Sequence, residues 1–403
     1  MSEPLPRLRM NLDFMPSPVE DRPGLLIRDT FYSDAVLIVP PPLIACLECF
    51  DGERTALDVR ELLVRMTGDL DISPIAEQLM ATLSSAGFLH DETYEGLKSA
   101  REREFALAAI REPGHAGTAY PDNPDELRST ISEYMTGGAG IAEDDNLVAI
   151  AAPHVSPFGG WQTYRAAYSS LGEKQADRIF VVLGTSHYGA PDRFGLTRKP
   201  FLTPFGTARP ELGLINELAS EPAAMMEDYC HSVEHSIEFQ IVFLQHLFGP
   251  DIRVLPILCG SYGRSIYEGG LPEDNEDVRR FLDRLGEIGA REGNRLLWVL
   301  GIDMAHMGVR YHDNFEARAG RDLMEEVARR DHARIERINA ADPRGFWDLV
   351  QENQDDLKWC GSSPLYTYLK AMPGTQGTLR GYEQWNIDEA SVVSFGAITF
   401  RRG

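Results

Sequence analysis

The chain has 403 residues, with 39 Lys and Arg against 62 Asp and Glu, a formal charge of −23. That length exceeds what one hydrophobic core usually serves, so two or more domains are expected. A 43% hydrophobic fraction beside 25% charged residues excludes a mostly disordered chain. The acidic excess argues against general binding to nucleic acid or anionic membrane, both of which need a positive surface. Nowhere does the sequence reach the run of about 18 apolar residues that would predict a membrane span. The opening MSEPLPRLRMNLDFMPSP has no apolar targeting core. Cysteine is sparse, odd in number and without framework spacing, which fits a reducing compartment and a cytoplasmic protein. Cys46-x-x-Cys49 lies in the apolar PPPLIACLECF with no second pair to complete a zinc site, so both read as buried small hydrophobes.

From the N-terminus, GLLIRD from Gly24 and AVLIVP from Ala35 read as strands between turn residues. In DGERTALDVRELLVRM, Thr55 is placed to cap a helix with Asp58 three residues on, and Leu57, Val59, Leu62, Leu63 and Met66 supply its inward stripe. A second helix follows in DISPIAEQLMATLSSAGFLHDE, with Ser73 as cap, Pro74 at the first helical position and Gly87 as stop. The closing GFLHDE is expected to start a strand or wing, and the whole suggests a small winged-helix domain over residues 1–95. Its second helix is poor in Arg and Lys, which disfavours DNA reading. A charged helix over Glu92–Ile110 would connect onward, giving a connector at 96–110 and a second domain at 111–403.

In that second domain, apolar strands alternate with longer mixed segments: LVAIAAP, RIFVVLG, IRVLPILCG and NRLLWVLG. Between them GLINELASEPAAM and EDVRRFLDRLGEIG read as helices. Near-continuous apolar strands separated by helices predict an α/β fold with a mostly parallel sheet covered on both faces. ASVVSFGAITF near the C-terminus reads as an edge or antiparallel strand.

Three histidines, His154, His187 and His306, each follow a predicted strand end, where a doubly wound sheet gathers its ligands. CHSVEHSIEFQ reads as a helix with His231 and His235 on one face and Glu234 and Glu238 on another. Ser232 occupies the position where a zinc-protease helix carries Glu, so that signature fails. His235 with an acidic orienter still makes a metal ligand, while His231 and His246 read as ordinary helix residues in that respect. Asp303, in GIDMAHMG with His306, is suited to orient a histidine, take a proton or ligate a metal. Three neutral nitrogens with an optional carboxylate suit Fe(II) or Zn(II), with copper as a further choice, and metal-free acid/base use of the same histidines is open. Cys360, before Gly361 in DLKWCGSSPLYTYL, reads as a buried packing or near-site thiol, with a nucleophile of lowered pKa at a loop-to-helix start as the alternative. Phosphate-cradling loops and the G-x-S-x-G elbow are absent.

From about Arg111 to Phe400 these motifs, in order, resemble the Memo-like family, whose bacterial and archaeal members are called AmmeMemoRadiSam system protein B. The matching elements are GHAGTAY with His115 and Tyr120, AAPHVSPFGG with His154, LGTSHYG with His187, EHSIE with Glu234, His235 and Glu238, GIDMAHMG with Asp303 and His306, and CGSSP from Cys360. The resemblance implies a fold like that of extradiol-type nonhaem iron dioxygenases and a metal pocket at His154, His187 and His235. It also implies iron or copper with a redox role, and company with a radical-SAM enzyme and an AMMECR1-like protein. Three departures stand out: Ala305 where some members carry cysteine, Ile302 where Ser is usual, and Val155-Ser156 for Ala-Gly. The front segment is similar to PqqD-like domains, small winged helices that hold peptides. That similarity implies peptide uptake on an edge strand.

The resulting expectation is a cytoplasmic Memo-like metalloprotein holding Fe(II), with Zn or Cu as alternatives. Asp303, His306 and His231 would serve proton transfer, and Glu234, Glu238, His115 and Cys360 would surround the ligands. A noncatalytic peptide- or protein-binding scaffold and a zinc-dependent hydrolase are the competing expectations.

Overall fold

The computed structural model describes residues 3–138 and 146–402. The chain divides into two compact units, Met1–Leu107 and Ala108–Gly403. Among the described residues no helix is long and apolar enough to cross a membrane.

In the first unit β1 (Asp13–Pro16), β2 (Leu25–Arg28) and β3 (Val36–Val39) form an antiparallel sheet in that order. β2 and β3 fall in the two predicted stretches. β1 lacks an apolar run and owes its extended form to pairing with β2. The helix Ala56–Thr67 starts on the predicted capping box, the Thr55 N–H donating to the Asp58 carboxylate at 2.6 Å, and ends on Gly68 in the left-handed region. The next helix, Ser73–Ser85, begins one residue earlier than expected: Ser73 is already helical and Ile72 stands at the cap without a side-chain bond.

GFLHDE does not open a strand. Leu89 makes a single bridge to Leu8, and the Asp91 carboxylate is instead taken up by the Tyr94 N–H at 3.0 Å, starting the helix Glu92–Leu107. That helix, predicted as a connector, belongs to the first unit. Buried Arg9 pairs with Asp29 at 2.6 Å while its guanidinium lies 4.1 Å from the Tyr94 ring, so helix and unit share a core. Cys46 and Cys49 are buried in the unit's hydrophobic core, as expected.

The second unit is a mixed α/β fold around an eleven-stranded sheet. Its strands are β4 (Leu147–Ala152), β5 (Ile179–Thr185), β6 (Phe194–Leu196), β7 (Phe201–Thr203), β8 (Gly206–Pro210), β9 (Ala224–Met226), β10 (Arg253–Cys259), β11 (Leu296–Gly301), β12 (His306–Gly308), β13 (Thr375–Asn386) and β14 (Ser391–Arg402). The four apolar runs are parallel neighbours in the order β4–β11–β5–β10, and all their residues but Arg253 are buried. Both faces are covered, which is why these strands carry no polar alternation. Val181 and Leu183 face a core shared with the helices Glu276–Glu292 and Ser362–Ala371, whereas Phe180 stacks on Phe248 of the helix His235–Phe248 at 5.5 Å.

Of the two readings of the last strand, antiparallel is the one observed: β14 runs antiparallel between β4 and the β12 and β13 strands, and all but its last two residues are buried. One expectation needs correction: CHSVEHSIEFQ is not one helix. It breaks into Cys230–Val233 and His235–Phe248, with Glu234 extended between them at φ −77° and ψ 130°.

Candidate metal centre

The sheet delivers the site. His154 and His187 each stand two residues beyond the ends of β4 and β5, and Asp303 two beyond β11. His235 arrives as the first residue of the helix His235–Phe248. That helix start lies hard against the strand ends. A Cβ at Gly301 would sit 2.1 Å from the Ser236 carbonyl oxygen, and one at Gly184 would sit 2.5 Å from Ser236 Oγ, so both positions require glycine. The ring centroids of His154, His187 and His235 form a near-equilateral triangle with sides of 5.0, 5.1 and 5.0 Å. One ring nitrogen from each lies within 4.8 Å of the other two.

The far nitrogens are already engaged. His154 Nδ1 meets the Gly301 carbonyl at 2.9 Å, His187 Nδ1 meets the Glu234 carboxylate at 3.0 Å, and His235 Nδ1 lies 3.3 Å from the same carboxylate. With Nδ1 of His154 and His187 committed to an acceptor, their Nε2 atoms keep the lone pair that a metal takes, and the carboxylate beside His235 Nδ1 favours the same arrangement there. Burial pushes the His154 pKa down to about 3. Burial, aided by the His187 and His154 rings against the Glu234 carboxylate, pushes His235 well below the usual range. Both rings are therefore neutral ligands at ordinary pH. His187 is also opposed by burial, but Glu234 and the Cys360 thiol outweigh it and raise its pKa well above the usual value. An ion would displace that proton. Three neutral imidazoles fit a divalent transition ion with bonds of about 2.0–2.1 Å, and do not choose among iron, zinc and copper.

Around the triad the other expected residues separate into near and far. Asp303 is near: its Oδ1 accepts the N–H groups of His154 at 2.9 Å and Val155 at 3.1 Å, and its Oδ2 lies 3.6 Å from His154 Nε2. Burial raises its pKa to about 6. His306 is held with Nδ1 3.0 Å from the Met304 and Lys358 carbonyls, and its charge is felt at His154. Cys360 is nearer than its position before a helix suggested, with Sγ 3.2 Å from His154 Nε2. Burial raises its pKa against the opposing pull of His187, which bears out the near-site thiol and not the activated nucleophile.

Glu234 is the N-cap of the ligand helix, accepting from the N–H groups of His235 and Ser236 while holding His187. Glu238 does not touch His235. It pairs with buried Arg111, accepts the Tyr120 hydroxyl, and takes the Gly114 and His115 N–H groups at 2.9 and 3.0 Å. It thereby fixes the loop that sets the His115 ring against His235, centroids 5.6 Å apart. His231 is outside the cluster: the helix break turns it toward β6, where Nε2 meets the Gly195 carbonyl at 3.0 Å.

Residues 111–399 match the Memo-like protein family. The chain belongs to that family. A MEMO1 family protein of Aquifex aeolicus is 29% identical over 387 residues, covering 93% of this chain and 95% of that protein. One from Thermus thermophilus is 30% identical over 308 residues, covering 74% of this chain and 85% of its own length. A Methanopyrus kandleri member, 25% identical, is covered over 99% of its length by 73% of this chain. The Aquifex alignment is longer than the second unit, so it reaches into the first.

For this family member, sequence reasoning left out Arg111, used only as a boundary marker. Arg111 also donates to the His231 and Glu234 carbonyls at 2.7 and 3.0 Å, closing the helix break from behind. A lone arginine more than a hundred residues from its partners leaves no local pattern. Gln240 was likewise missed. It donates to the Pro153 carbonyl at 2.9 Å and so steadies the residue before His154.

Proposed function

We propose that this Memo-like chain is a mononuclear metalloenzyme of redox type, using Fe(II) at His154, His187 and His235 for dioxygenase-like chemistry on a small oxygen-bearing substrate. The supporting observation is the convergence of one ring nitrogen from each of three histidines, two of them with Nδ1 fixed by hydrogen bonds, beside a second tier of proton-carrying groups. A bound Fe(II) supplies a Lewis-acidic, redox-active centre with positions open to small ligands. Asp303, at a pKa near 6, exchanges a proton close to neutrality, and His306 with its Nδ1 pinned offers Nε2 for the same purpose. Cys360, with Sγ 3.2 Å from His154 Nε2, is placed to join the ligands. Three histidines in place of the commoner two-His-one-carboxylate set make Asp303 the natural carboxylate of the centre.

The test is oxygen uptake by anaerobically iron-loaded protein offered a panel of dihydroxyarenes. Uptake that ceases in the zinc-loaded protein and falls at least about 100-fold in His306→Ala supports the reading. No uptake across the panel by protein that holds iron would leave the family member as a binding scaffold, and turnover by the zinc form alone would make it a hydrolase.

For the first unit the reading is a PqqD-like, winged-helix peptide holder. It is supported by a three-stranded antiparallel sheet with β1 and β3 at its edges, beside two helices, the first of them capped by Thr55 and Asp58. A radical-SAM enzyme, an AMMECR1-like protein and a modified peptide are the partners this reading names, and five free cysteines suit a cytoplasmic setting. Pull-down with and without residues 1–107 tests it. Unchanged partners would refute docking by this unit.

A further inference from the structure

Tyr311 belongs to none of the motifs of the site, yet three observations bring it there. Its ring stands edge-on to the His306 ring, centroids 4.9 Å apart. It packs with Trp385 against a small apolar cluster that includes Val155, the residue after His154. The segment it sits on is tied through Asp313 to Lys358, two residues before Cys360, whose Sγ lies 3.2 Å from His154 Nε2.

The segment that carries Tyr311 is rigid. Val309–Tyr311 is one short helical turn, ended by His312 in the left-handed region. Arg310 N–H donates to Ser391 Oγ at 2.9 Å and Gly308 N–H to the Asp313 carboxylate at 2.8 Å. Asp313 in turn pairs with Lys358 at 2.8 Å, two residues before Cys360. Both sides of the tyrosine are thus clamped, to β14 and to the Cys360 loop. In this fixed position the hydroxyl makes no hydrogen bond to the chain among the described residues. Burial, with Asp303, Cys360 and Asp388 opposing Arg310, pushes its pKa up, so it remains a donor.

We propose that Tyr311 is a ligand-contacting residue whose hydroxyl donates a hydrogen bond to the acceptor atom of a small anion bound at the His154, His187, His235 centre. The inference rests on the metal-centre reading and adds to it a donor that selects anionic ligands. A preorganised donor beside a metal-bound anion needs no rearrangement when the ligand arrives. Phe at this position would keep the ring contact with His306 and remove only the donor.

The experiment uses the full chain loaded with Co(II), azide as the probe anion, and visible absorption as the readout. Wild type and Tyr311→Phe are compared for cobalt affinity by chelator competition, and then for azide affinity. The expected result is cobalt affinity equal within about twofold and azide affinity lower by about tenfold or more, the scale of one hydrogen bond to a charged acceptor. Equal azide affinity in both proteins overturns the inference and leaves the metal centre standing. Weakened cobalt binding in Y311F also overturns it, since the tyrosine would then act through the ligand set. If neither protein binds cobalt, the metal-centre reading fails and this inference fails with it.

Discussion

Glu234 carries three tasks on two oxygens. Oε1 caps the ligand helix through the N–H groups of His235 and Ser236 and stands 3.0 Å from His187 Nδ1, while Oε2 takes the His187 N–H at 3.0 Å. Two ligands thus depend on one carboxylate for orientation. Glu234→Gln is expected to weaken metal binding about 10- to 100-fold. The accompanying loss of stability should be only about 0.5–2 kcal/mol, a cap's contribution. Metal competition and thermal melting measure the two separately. Glu238 gives a pH signature. Burial alone would raise its pKa, but Arg111 and Tyr120 outweigh this and lower it. Its stabilising contribution is therefore complete above the ordinary 4.5 and is lost as pH falls through the lower folded value. Glu238→Gln should melt well below wild type at pH 7, because Arg111 is left buried without its partner, by about 3–5 kcal/mol. The gap should narrow as pH drops below 4.5 and through the lower folded value. A gap that does not change with pH would contradict this account of the pair.

At the scale of elements, the strands were legible and the joints were not. β4, β5, β10 and β11 announce themselves as buried apolar runs, and His154, His187 and Asp303 fall just past the ends of β4, β5 and β11. The break at Glu234 was hidden, because HSVEHSIEF carries no proline or glycine and helix propensity favours continuity. What wins there is tertiary: Arg111 takes up the His231 carbonyl before the break and the Glu234 carbonyl at it, and the Glu234 carboxylate holds His187. β14 was read as an edge or antiparallel strand, and alternation in sequence could not choose between them; antiparallel pairing on both sides does. The tightest joint is between β11 and the ligand helix. Gly301→Ala would drive a Cβ into the Ser236 carbonyl, and should cost about 1–3 kcal/mol in stability by chemical denaturation. It should also lower metal affinity, since Gly301's own carbonyl holds His154. A stable variant with unaltered metal binding would show that the contact is slack.

On the scale of the whole molecule, charge and length set only limits, and histidine placement carried the site. His154, His187 and His235 were named from their positions after strands and within EHSIE, and they do converge. His231 was named from the same segment and does not, since the assumption of one helix put it on the wrong side. The central claim is that the three convergent histidines together hold one ion. The direct measurement is anaerobic Fe(II) titration of the full chain and of the single variants His154→Ala, His187→Ala and His235→Ala. Bound metal is counted by elemental analysis after desalting, and circular dichroism confirms that each variant is folded. The account predicts a single ion per wild-type chain and at least about 100-fold weaker binding in every variant, consistent with loss of one of three protein ligands. A wild type that retains no metal, or a folded His235→Ala that binds iron as tightly as wild type, would contradict it.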